Sequence, residues 1–78
     1  MERRGADWLA AYALGLAFSA EPEEACVQRL VDAAEDAQAL EVARGRVLGV
    51  GVGDEVTRRR AADLLDRAVR QLRKGINP

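Results

Sequence analysis

An all-α fold is predicted by three observations. Residues 54–74 place apolar side chains at Ala61, Leu64, Leu65, Ala68, Val69 and Leu72, the spacing of one helical face. Residues 6–18 are a nearly unbroken apolar run rich in alanine and leucine, and from Ala25 to Leu48 apolar residues recur with no proline to interrupt a helix. Together they predict one domain over residues 1–78, with helices near 6–18, 22–48 and 54–74. The long second and third helices are expected to form an antiparallel hairpin with the apolar first helix packed across it.

The third helix is the clearest element. Asp54, after Gly53, is placed to cap it, because a carboxylate there accepts from amides otherwise unpaired in the first turn. Gly75 stands where the helix should stop. Arg70, Arg73 and Lys74 set positive charge against the negative end of the helix dipole.

The first helix lacks a polar side. Trp8, Tyr12 and Leu16 fall at four-residue spacing, Leu14 and Phe18 lie on another side, and Ala10, Ala11, Ala13, Gly15 and Ala17 allow close approach of a neighbour. Two amphipathic helices of a small chain can hardly cover such a helix on all sides. Trp8, Leu9, Tyr12, Leu16 and Phe18 are therefore candidate interface residues, with a second copy or another protein supplying the cover; the alternative is that this helix is simply the core of the single chain. Arg3 and Arg4 before the apolar run, and Ala17-Phe18-Ser19 at its end, outline a secretory signal peptide. Asp7 and Glu2 break that pattern, and cleavage would leave a fragment with no aromatic ring and no disulfide. The run is also short of the ~20 apolar residues that cross a bilayer, so no membrane partner is expected.

Ser19-Ala20-Glu21-Pro22-Glu23-Glu24 reads as a helix junction, with serine to cap, proline tolerated in a first turn, and glutamates at the positive end of the dipole. The helix that follows is either continuous to Leu48 or broken near Ala37 to Leu40, which would make four helices. Between it and the last helix, residues 49–53 alternate glycine and valine. This superficially resembles a phosphate-cradling loop, but a helical pattern precedes it where a strand is needed, and Asp54 would place negative charge at the phosphate position. A flexible connector with inward-packed valines is expected, with a short strand pairing two copies as the alternative.

Composition narrows function. The net charge is −1 over 78 residues, which gives no overall field to attract nucleic acid or an anionic membrane. Its distribution is uneven: residues 20–53 hold seven acids against three arginines, and residues 54–78 hold seven basic residues against four acids. Segments of opposite sign suggest contact, within one chain or between two. There is no histidine, so the commonest general base and metal ligand is missing. Cys26, the single cysteine, lies in the apolar pattern of the second helix and reads as a buried thiol in a reducing, cytoplasmic setting. Asp32, Glu35 and Asp36 share a helical side but have the spacing of a solvated acidic face rather than of a cation site. Ser19 and Thr57, the only hydroxyls besides Tyr12, fit helix starts. Neither an enzyme nor a cofactor is expected.

Arg58, Arg59 and Arg60, with Arg67 and Arg70 behind them, are candidates for phosphate contact with nucleic acid. Acids four residues away offer local pairing instead, as Glu55–Arg59, Arg59–Asp63, Asp63–Arg67 and Asp66–Arg70. Ala43-Arg44-Gly45 followed by Val47-Leu48, and Ala61-Ala62 followed by Leu65, resemble part of the RNA-binding ANTAR domain of bacterial antiterminators, with the two halves farther apart here. The resemblance implies RNA as a partner. The functional expectation is a non-catalytic protein-interaction domain, self-associating as a homodimer, of a size compatible with a regulatory role. A small RNA- or DNA-binding regulator is the alternative.

Overall fold

The computed structural model describes residues 3–49 and 54–76, and these form four helices: α1 Ala6–Phe18, α2 Glu23–Ala33, α3 Ala37–Gly49 and α4 Glu55–Ile76. The fold is all-α, as expected. The continuous helix over 22–48 is corrected to two, with the break at residues 34–36, just before the position anticipated for it. Ala34 leaves the helical conformation at φ −73°, ψ 137°, while its amide still donates to the Leu30 carbonyl. Asp36 then starts the next helix, its Oδ1 accepting the Ala39 amide at 2.8 Å.

The break is held by a strap from the chain's beginning. The Arg4 amide donates to the Ala33 carbonyl at 2.7 Å, and the Glu35 amide donates to the Arg4 carbonyl at 3.0 Å. A two-residue parallel bridge therefore satisfies backbone groups that a continuous helix would have paired internally.

Only half of the expected hairpin survives. α3 runs antiparallel to α4, with Glu41 near the start of α3 paired to Arg73 near the end of α4. α2 runs parallel to α4, since Glu23 meets Arg67 and Gln28 meets Gln71 further along both helices. α2 and α3 scarcely touch each other, and α1 fills the space between them, packing on α3, α4 and α2.

The apolar stripe of α4 faces inward as its spacing requires: Ala61, Leu64, Leu65, Ala68 and Val69 are buried and Leu72 is half-buried. They meet Leu9 and Ala13 of α1, Cys26 and Leu30 of α2, and Leu40, Ala43 and Val47 of α3. Asp54 caps α4, its Oδ1 accepting the Thr57 amide at 2.7 Å. That helix runs one residue past Gly75, so the glycine lies inside the last turn and the stop comes later than its position implies. The anticipated connector falls mostly on residues 50–53, which lie outside the described residues. Gly45 to Gly49 belong to α3, so of the glycine–valine stretch 49–53 only Gly49 lies among the described residues, and it ends that helix.

Ser19 caps the end of α1 rather than the start of α2. Its amide and its Oγ both donate to the Leu16 carbonyl, at 3.0 and 2.8 Å. α2 begins without a side-chain cap, after Pro22 at φ −57°, which pre-sets the turn of the chain into the helix.

Candidate functional site

α1 separates into two faces. Leu9, Ala13, Leu16 and Ala17 point into the core, with Leu9 wholly buried. Asp7, Trp8, Ala11, Gly15 and Phe18 are exposed, with Trp8 at 40 % and Phe18 at 71 %. The five candidate interface residues do not share one face: Leu9 and Leu16 belong to the chain's own core, and Trp8, Tyr12 and Phe18 border the outer face. Periodicity could not separate them, because on a helix apolar all round every direction looks alike until its neighbours are placed.

The outer face is a low ridge of small residues between two depressions. On the α3 side a hollow of about 480 Å³ is lined by Ala10, Ala11, Leu14, Val47 and Gly49, with Asp7 and Arg46 at its rim. Those two are ion-paired at 2.9 Å. On the α2 side a second hollow of about 350 Å³ lies among Ala11, Tyr12, Gly15, Ser19 and Arg29. Ala11 borders both.

Aromatic and cationic groups frame the α2 side. The Trp8 and Tyr12 rings are 4.7 Å apart at 33°, and the Arg4 guanidinium lies 5.1 Å from the centre of the Trp8 ring. Arg29 is hydrogen-bonded beside Tyr12 and ion-paired with Glu21 at 2.9 Å, and these two neighbours hold its already basic guanidinium further toward the charged form. Cys26 is fully buried, 3.8 Å from Ser19 Oγ and 3.9 Å from the Glu21 carbonyl, as its place in the apolar pattern suggested.

The candidate nucleic-acid residues are spread around α4 and largely occupied. Arg59 pairs with Glu55 at 2.9 Å and Arg70 with Asp66 at 3.0 Å, two of the anticipated i,i+4 pairs. Arg67 turns instead to Glu23 of α2 at 3.1 Å. Arg58 is half-buried, and Arg60 is exposed. The acidic middle and basic end of the chain thus meet within one molecule, through Glu23–Arg67 and Glu41–Arg73. Two of the acids at 32, 35 and 36 have side-chain partners: Asp32 accepts from Gln28 at 2.9 Å and Asp36 caps α3. Among the described residues no group of three or more acid or thiol side chains is gathered to hold a metal ion, and no helix is long and apolar enough to cross a membrane.

No family model, characterised protein or solved structure matches the chain. The resemblance to the ANTAR domain thus gains no support from these comparisons.

Proposed function

We propose that this chain is a non-catalytic interaction module that associates with a second copy of itself through the outer face of α1. One observation carries the reading: from Trp8 to Phe18 the helix has no charged residue, yet its outer side leaves Trp8 and Phe18 substantially in water. Trp8, Tyr12 and Phe18 are the available anchors. Full burial of a large side chain is worth about 1.5–3 kcal/mol, and a two-fold contact counts each anchor twice. Because Trp8 and Tyr12 are partly covered already, the gain falls near the low end of the ~4–15 kcal/mol cost of association. The expected dimer is therefore weak and concentration-dependent. The buried, lone Cys26 fits a reducing compartment such as the cytoplasm.

Sedimentation equilibrium from low to high micromolar concentration tests the reading. A rise in average mass toward twice 8.5 kDa supports it. A constant single-chain mass throughout that range refutes it.

A further inference from the structure

The outer face of α1 carries both a knob and a hollow. Helical spacing sets Asp7, Ala11, Leu14 and Phe18 on one stripe, since steps of four, three and four residues return to nearly the same direction. At one end Phe18 projects with most of its ring in water. Two turns back, Ala11 offers only a methyl group, and beside it opens the hollow of about 480 Å³ lined by Ala10, Leu14, Val47 and Gly49. Knob and hollow are ~10 Å apart along the axis, at 1.5 Å per residue.

A ridge with its knob at one end and its hollow toward the other is complementary to itself when reversed. Building on the self-association proposed above, we infer that two copies dock α1 against α1 in antiparallel fashion, each Phe18 seated over Ala11 of the other copy. The two-fold axis then passes beside Leu14 and Gly15, where small and medium side chains let the helices approach. A parallel arrangement would set Phe18 against Phe18 and leave both hollows empty. An unrelated partner would need its own aromatic knob at the matching place, whereas a second copy brings one.

Charge is compatible with the same choice. Asp7–Arg46 closes the ridge at its beginning and Glu21–Arg29 stands just past its end, so reversal brings two mixed-sign pairs side by side. No uncompensated charge is driven into the contact.

The experiment uses the full chain in a Cys26→Ala background. Chains carrying Ala11→Cys are mixed with chains carrying Phe18→Cys and oxidised gently; the expected product is the mixed 11–18 disulfide in excess over either like pair. In parallel, Phe18→Ser is compared with the unaltered protein by sedimentation. Phe18 is exposed, so the fold should persist in circular dichroism while the dissociation constant rises roughly 100-fold, the effect of losing an interface anchor in both copies. A dimer that keeps its affinity with Phe18→Ser, or that crosslinks 18 to 18, overturns this docking but leaves self-association standing. A single-chain mass for the unaltered protein at all concentrations overturns both.

Discussion

Arg67 on α4 pairs with Glu23 at the start of α2, 3.1 Å away, rather than with Asp63 one turn behind it on its own helix. The choice joins the acidic and basic halves of the chain internally, and Arg73–Glu41 repeats it on α3. Both pairs are solvent-exposed, so each is worth only about 0.2–1 kcal/mol. Their larger consequence is that the α4 arginines face neighbouring carboxylates as well as solvent.

The first prediction follows from that neutralisation. The purified protein should show little affinity for mixed RNA or duplex DNA at physiological salt. Fluorescence anisotropy with a labelled oligonucleotide checks it. Sub-micromolar binding that falls steeply with salt would promote a role in nucleic-acid binding for Arg58, Arg59, Arg60, Arg67 and Arg70.

A second prediction concerns the cap of α4. The Thr57 amide and, next, the Thr57 side chain hydrogen-bond Asp54 and hold its carboxyl below the ordinary carboxylate range. A depressed folded pKa means that the cap's stabilisation is complete above the unfolded pKa and is lost as pH falls through the folded one. Asp54→Ala should lower the melting temperature at pH 7, and the deficit should shrink in acid. Asp54→Asn should keep most of the cap and lose this part of the pH dependence. Equal melting temperatures for all three proteins at pH 7 would show the cap to be energetically idle.

The third prediction turns on the break between α2 and α3. Asp36 caps α3, so Asp36→Ala should cost about 1 kcal/mol, within the usual ~0.5–2 for a lost cap. Were residues 22–48 one helix, the same change would stabilise, because alanine is the better helix former. The sign of the change in a urea titration separates the two cases.

How much of this was legible in the sequence depended on whether the deciding contact was local. The α4 stripe was readable in full, because Leu64, Leu65, Ala68 and Val69 repeat at 3.6-residue spacing beside a local cap. The α2–α3 break falls a few residues before the Ala37–Leu40 position that the sequence suggests, since no glycine or proline marks it and two of the hydrogen bonds that hold it come from Arg4, some thirty residues away. Asp36 three residues before Ala39 was the one local signal for it. Spacing alone points Arg67 at Asp63, because sequence shows the ladder on one helix and not the acid across the groove. On α1 the candidate residues were correctly placed on a helix, but which of them faced inward awaited the positions of α2, α3 and α4.

Cys26 supplies a fourth prediction. A thiol with no exposed surface should react slowly with a thiol reagent in the folded protein and quickly in denaturant. The native rate reports opening of the α1–α2 junction, since Ser19 and the Glu21 carbonyl lie against the sulfur. Equal rates in both states would place α2 with its other face inward.

The last prediction contrasts two neighbours on α1. Leu9 is fully buried in the core, whereas Trp8, one residue earlier, is 40 % exposed beside Tyr12 and Arg4. Leu9→Ala should cost ~2–5 kcal/mol of folding stability, because it removes buried methyl groups and leaves a cavity that four short helices cannot easily close. In a domain this small such a loss approaches the whole folding free energy, so the variant should be largely unfolded at 37 °C. Trp8→Ala removes a larger side chain but one already half in water, and should cost much less in the single chain. Its effect should appear instead in the concentration dependence of the melting temperature, because binding only the folded state raises apparent stability as concentration rises. Thermal melts of each variant at low and high micromolar concentration separate the two roles. If Leu9→Ala and Trp8→Ala lower the melting temperature equally and without regard to concentration, both faces of α1 serve only the fold.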